Sequence, residues 1–141
     1  MTKRVTSIGG IFFKCENPQQ IKEWYNKHLG ISAGDYGTTF EWRKSEAPEE
    51  KGYTAWSPMK KETKYFDPSP KEFMINYRVE NLEELVQLLK SEGVTVVDEI
   101  ATYEYGKFVH IMDPEGNKIE LWEAIDDEYE KILGDDVTKI T

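Results

Sequence analysis

Cysteine occurs once in the 141 residues, at Cys15, so no internal disulfide can form and a reducing cytoplasm is the default compartment. The opening MTKRVTSIGG lacks the apolar stretch of a signal peptide. No segment approaches the roughly 20 apolar residues of a membrane span. Histidine is scarce as well, with only His28 and His110. Basic residues are outnumbered, 18 Lys and Arg against 27 Asp and Glu, for a formal net charge of −9. The cations are scattered among acids rather than clustered, which argues against a nucleic-acid-binding face. An acidic surface tolerates a cationic ligand or partner, although most such surfaces are simply solvated.

What is present is enough apolar matter for a core: 38% hydrophobic and 13% aromatic residues. The length suits one domain, residues 1–141, assembled from two similar halves. The plainest helix is LEELVQLLKSE, Leu82 to Glu92, where Leu82, Leu85, Val86 and Leu89 recur at helical spacing. Asn81 suits its N-cap, Glu84 follows as in a capping box, and Gly93 suits the stop. FMINYRV before it and VTVVDEI after it read as strands. The N-terminal region has the same order. GIFFKC reads as a strand, Asn17-Pro18 as a helix start, and QQIKEWYNKHL as a helix with Ile21, Trp24, Tyr25 and Leu29 on its apolar side, closed by Gly30.

Superposing the halves aligns Lys14 with Arg78 and Glu16-Asn17 with Glu80-Asn81, an internal repeat of about 64 residues. The copies span about residues 5–66 and 67–125, each reading strand, helix, then about three strands. TTFEWR and YTAWS continue the first copy, with KSEAPEEKG between them as a charged loop. SPMKKETKYFDPSPKE reads as a strand edge plus a mobile flap, and the acidic tail holds a short helix at DEYEKILG that either docks or stays loose.

Strand alternation divides the faces. Ile11, Phe13, Ile75 and Tyr77 form the more uniformly apolar set and face the helices. Gly10, Phe12, Met74 and Asn76 then look into whatever the sheet encloses. The stretch FVHIMDPEGNKIELWE is a hairpin with its turn at DPEGN. Pairing Met112 with Lys118 sets His110 opposite Glu120 and Phe108 opposite Trp122, close enough to touch. A one-residue slip would separate them.

The repeat, with GGIFFKCENPQQIKEWYNKHLGI, INYRVENLEELVQLLKSEGV and above all DPEGNKIELWE, resembles the vicinal oxygen chelate superfamily of glyoxalase I, extradiol dioxygenases and the fosfomycin and bleomycin resistance proteins. The resemblance covers about residues 5 to 125. It implies an α+β fold of two βαβββ modules forming a curled sheet around a shared cavity, and commonly a homodimer. Metal-dependent members place ligands at four strand positions, which here fall at Gly10, at or near Trp56, at Met74 and at Glu120. Glycine has no donor, tryptophan offers only an N–H, and a thioether suits soft metals. The usual metal site is therefore absent from this reading, and no cofactor is assigned.

The readings stay open. Glu120 and His110 are the candidate catalytic pair, a buried carboxylate and a proton carrier; the alternative is polar lining without chemistry. Phe12, Trp56, Met74, Asn76, Phe108 and Trp122 are candidate ligand-binding residues, unless they fill the cavity themselves. Cys15 reads as core and His28 as surface. Lys14 and Arg78 are candidates for holding an anion at the cavity mouth, or are exposed edge charges. Three functions follow: a metal-free protein binding a small organic molecule, a metal-free isomerase or lyase using His110 and Glu120, and a divalent-metal lyase or dioxygenase with rearranged ligands.

Overall fold

A computed structural model describes residues 3–139. Its elements run β1 (Val5–Cys15), α1 (Pro18–Leu29), β2 (Thr38–Lys44), β3 (Ala47–Lys60), β4 (Phe73–Val79), α2 (Leu82–Ser91), β5 (Thr95–Val96), β6 (Ala101–Tyr103), β7 (Gly106–Met112), β8 (Lys118–Ala124), α3 (Asp126–Leu133) and β9 (Val137–Thr138). The nine strands form one curled, unclosed sheet in the order β5-β7-β8-β4-β1-β3-β2-β9, with β6 paired to β7. The halves join where β1 and β4 pair antiparallel. Each half's first strand also runs parallel to that half's last, β1 with β3 and β4 with β8.

The helix of the second half behaves as its stripe predicts. Leu82, Leu85, Val86 and Leu89 bury against Val79, Val109 and Leu121. Each large apolar side chain so buried contributes roughly 1.5–3 kcal/mol. The capping box does not form. Asn81 adopts the left-handed conformation at φ 51° and makes no side-chain cap. The Glu123 carboxylate on β8 instead accepts from the Leu82 N–H at 2.6 Å. Asparagine tolerates that backbone conformation.

At α1 the start matches expectation, with the Asn17 side chain accepting from the Gln20 N–H at 3.0 Å and Gly30 left-handed at φ 70°. The apolar side does not match. Trp24 and Leu29 remain exposed while Lys22 is buried, its ammonium donating to the Gly34 and Asp35 carbonyls. Tyr25 anchors this helix through Trp56, with ring centroids 5.0 Å apart.

Three other segments depart from the sequence reading. KSEAPEEKG is a hairpin rather than a loop, with Arg43 paired to Lys51 and Lys44 to Ala47. Alternating charges support it, Lys51 lying within ion-pair distance of Glu41 and Lys44 of Glu50. VTVVDEI forms only the two-residue β5, because the Asp98 carboxylate takes the place of a backbone acceptor for the His110 N–H at 2.8 Å. In the first half only the isolated Gly34–Gly37 bridge lies between α1 and β2, leaving two strands after its helix.

The connector between β3 and β4 is not a loose flap. Phe66 is fully buried and Ser69 nearly so, and Lys118 donates to the Tyr65 carbonyl at 2.7 Å. The tail docks: α3 lies against the sheet and β9 adds to the edge of β2, pairing Thr39 with Val137. Among the described residues no helix is long and apolar enough to cross a membrane.

Candidate functional site

One rung of the ladder crosses the curled sheet and fixes the site. Thr39 pairs with Ala55, Ala55 with Gly10, Gly10 with Asn76, Asn76 with Glu120, and Glu120 with His110. The hairpin register is the one the turn implies, including Phe108 opposite Trp122 and Met112 opposite Lys118.

Glu120 is buried at 2% exposure and accepts from three side chains. Asn76 Nδ2 donates to Oε1 at 2.7 Å, and His110 Nε2 lies 2.8 Å from Oε2. The Tyr65 hydroxyl donates to that same Oε2. The other imidazole nitrogen, Nδ1, lies 2.6 Å from Asp98 Oδ2. Only a doubly protonated ring can donate to both carboxylates. Burial pulls His110 toward the neutral form, but the hydrogen bonds and charges of Glu120 and Asp98 outweigh it and hold the group above its ordinary value. Burial, followed by the charge of Glu120, pushes the Tyr65 phenol well up, so that it stays a neutral donor.

Beside this cluster lies a cavity of about 400 Å³. Phe12, Asn76, Phe108, Glu120 and Trp122 stand on its wall, as the facing argument requires. Phe108 and Trp122 stack with centroids 5.5 Å apart and planes 9° from parallel. Two candidates do not belong there. Trp56 is on the opposite face, packed on Phe13 at 5.5 Å and on Tyr25. Its neighbour Ala55 is the inward residue. Met74 is fully buried and pairs with Phe12, one step of the alternation away from the rung, so Asn76 holds the place beside Glu120.

Arg78 is not a free cation at the cavity mouth. It is buried, bonded to Asp126 at 2.6 Å, and held 5.2 Å from the ring centroids of both Trp42 and Trp122. Lys14 Nζ lies 5.5 Å from the centroid of Phe66. His28 is exposed on α1 beside Trp24. Cys15 is half-buried with its thiol near the Met59 carbonyl, and burial pushes that thiol up, away from nucleophilic character.

Tyr65, Asp98 and Tyr129 were not singled out in the sequence. Tyr65 comes from the connector, Asp98 from a segment read as plain strand, and Tyr129 from the tail. Nothing in their spacing marks them, since each reaches the site through a long-range contact. Tyr129 bonds Thr39 through its hydroxyl at 2.9 Å and lays its ring against Trp122 at 4.9 Å, so the tail ties the two halves together over the cavity. Burial pushes its phenol up.

The donor set does not fit the divalent metal of metal-dependent relatives. On the rung, Glu120 stands between His110, whose Nε2 is turned to a Glu120 oxygen, and the amide of Asn76, beyond which come only a glycine and an alanine, and both Glu120 oxygens already accept hydrogen bonds. Among the described residues, no group of three or more His, Cys, Asp or Glu is placed to hold an ion. Asp98 and Glu120 bind opposite nitrogens of His110 rather than converging on one point.

The family model described as Glyoxalase/Bleomycin resistance protein/Dioxygenase superfamily matches residues 8–121. Methylmalonyl-CoA epimerase from Mycobacterium tuberculosis is similar in structure, with TM-score 0.60 and 19% identity over 92% of this chain and 95% of that one. A variant of the Streptomyces coelicolor methylmalonyl-CoA epimerase in complex with 2-nitronate-propionyl-CoA gives TM-score 0.63 and 14% identity over 86% and 99%. A catechol 2,3-dioxygenase gives TM-score 0.53 and 18% identity, covering 87% of this chain and 40% of that one. No curated protein sequence matches.

Proposed function

Because the chain belongs to the glyoxalase/bleomycin resistance protein/dioxygenase superfamily, we propose that it is a metal-independent member whose single domain of two repeats and a docked acidic tail binds a small organic molecule in the sheet's cavity. The observation that carries this reading is the joining of a 400 Å³ space with a stacked aromatic wall to a buried carboxylate already bonded to three neighbours. Cavities of that size with a few convergent polar groups are where small ligands bind. A carboxylate so engaged is an anchor in a fixed position. The test is chemical-shift mapping with a library of aromatic fragments. Binding should move the Phe12 and Phe108 amides and the Trp122 indole N–H, without product. Shifts confined to the outer surface would refute the reading.

A second reading is favoured by one arrangement. Asp98, with its side chain 42% exposed, joins His110 and Glu120 in a continuous chain from solvent to the cavity. Such a chain can carry a proton, as an isomerase or lyase step next to a carbonyl requires. It would show as solvent deuterium entering a bound carbonyl compound, lost in both Glu120→Gln and His110→Ala while binding persists.

A homodimer in a reducing cytoplasm belongs to the proposal. Ile8, Ile11 and Phe73 share the outer face of the central strands at 46%, 42% and 42% exposure, and a second copy would cover them. Light scattering on purified protein tests it: a monomer at micromolar concentration removes this part.

A further inference from the structure

We infer that the cavity takes an organic cation, an aromatic or heteroaromatic molecule bearing an ammonium or amidinium group that donates N–H bonds to the oxygens of Asn76, Glu120 and Asp136. This rests on the cavity's being a ligand site and adds the charge and polarity of what enters it.

The first observation is an orphaned acceptor. Asn76 is 2% exposed, and its Oδ1 has no hydrogen-bond partner among the described residues. The amide orientation is set by chemistry, since only the Nδ2 end can donate to Glu120 Oε1. A buried acceptor left without a donor costs about 1–3 kcal/mol. The bare backbone of Gly9 lies against that buried oxygen. Both residues line the cavity, and a Cβ at position 9 would collide with Oδ1.

The second observation is the charge of the wall. Among the described residues, its carboxylates are Glu120 and Asp136, and no lysine or arginine lines it. Of the nearby basic groups, Arg78 is committed to Asp126 and Lys118 to the Tyr65 carbonyl, while His110, held toward its charged form, is shared between Glu120 and Asp98. Three of the roughly four lone-pair positions of Glu120 are filled, leaving room for one more donor.

The third observation is that the wall offers few donors. The Ser57 hydroxyl donates to the Tyr36 carbonyl, and Trp122 Nε1 to the Tyr105 carbonyl. The Thr39 hydroxyl is paired with that of Tyr129, and the Thr38 hydroxyl with that of Thr138. The phenols of Tyr36 and Tyr105 remain, and Tyr36 is 90% exposed. An anionic or acceptor-rich ligand would find little to bind, whereas a donor-rich cation finds acceptors and the faces of Phe12, Phe108 and Tyr105. The net charge of −9 steers cations toward the molecule.

The test uses three probes of one shape: benzamidinium, benzamide and benzoate. Each is titrated into the full chain at neutral pH and low salt, with the Trp122 indole N–H and the Phe12 and Phe108 amides as reporters. Benzamidinium should bind about tenfold or more tightly than benzamide, with benzoate weakest. Asp136→Asn, on the tail and outside the buried cluster, should shrink that preference severalfold, as should Asn76→Leu if it folds. Equal or tighter binding of benzamide or benzoate overturns the inference and leaves the cavity reading standing. A cation preference that Asp136→Asn leaves unchanged overturns it too. If none of the three probes moves the cavity reporters, both readings fall.

Discussion

His110 and Glu120 meet as directly opposed partners on β7 and β8, with Nε2 2.8 Å from Oε2, and the far side of the same imidazole rests on Asp98 at 2.6 Å. The ring is therefore clamped between two carboxylates, which favour its imidazolium form. Its exposure is only 7%, so the clamp works in a poorly hydrated setting where charge pairing is strong. The pH response of the fold depends on this contact.

The pH dependence follows from it. His110 is held above its ordinary value in the folded protein, so protonation favours the folded state. Its stabilisation is fully present below the unfolded value of about 6.5 and is lost as pH rises through the folded value. The difference in unfolding free energy between the wild type and His110→Gln should be larger near about pH 5.5 than near about pH 9. Urea titrations at the two pH values measure it, and an NMR titration of the ring gives the midpoint. A midpoint below the ordinary histidine value of about 6.5 would contradict the clamp.

Tyr65 reaches Glu120 from the connector, although its residue as a whole is 42% exposed. Tyr65→Phe keeps the ring beside His110 and removes only the donor. It should cost about 1–2 kcal/mol, because a buried carboxylate oxygen loses a partner. Unchanged stability in urea would mean that the hydroxyl is no fixed partner of Glu120.

The start of α2 separates two kinds of cap. Asn81 contributes a left-handed backbone, and Glu123 contributes the acceptor. Asn81→Gly should be neutral or slightly stabilising, since glycine adopts that conformation freely. Asn81→Ala should cost about 1 kcal/mol from backbone strain. Glu123→Ala should cost about 1 kcal/mol as a lost cap. A penalty of that size for Asn81→Gly would restore the side-chain cap read from the sequence.

Arg78 is placed so that lysine cannot replace it. Its planar guanidinium lies between Trp42 and Trp122 while bonding Asp126 and the Tyr53 carbonyl. A lysine ammonium cannot stack on two rings and keep both bonds. Arg78→Lys should lose about 1–3 kcal/mol. Thermal unfolding of the two proteins side by side checks this, and a loss below about 0.5 kcal/mol would mean that the sandwich contributes little.

How much of this was legible in the sequence depended on range. The hairpin register was readable because turn chemistry and alternation are local, so His110, Glu120, Phe108 and Trp122 were placed together correctly. The stripe of α2 was readable for the same reason. The outward turn of Trp56 was missed because that position came from a loose family alignment, and a shift of one residue reverses the face. The roles of Met74 and Asn76 followed only once β4 had been registered against β8. Tyr65, Asp98 and Tyr129 reach their partners across the fold, from segments without periodicity, and no local pattern encodes such contacts.

Tyr129 decides whether the tail is structural. α3 buries no residue completely, so its place depends on a few contacts. Tyr129 supplies several: its hydroxyl on Thr39, and its ring against Trp122 in one half and Tyr53 in the other, with centroids 4.9 and 5.6 Å away. Tyr129→Phe loses one neutral hydrogen bond and should cost about 1 kcal/mol. Tyr129→Ala also removes the ring and should cost about 2–4 kcal/mol. The loss should be local. Amides of α3 should exchange much faster in Tyr129→Ala while those of α2, held by four buried side chains, keep their protection. Trp122, uncovered on that side, should emit at longer wavelength. Fast exchange of α3 in the wild type already would mean that the ring does not hold the tail. Equal loss of protection in α2 would mean that tail and sheet unfold as one unit, with Tyr129 serving the whole domain.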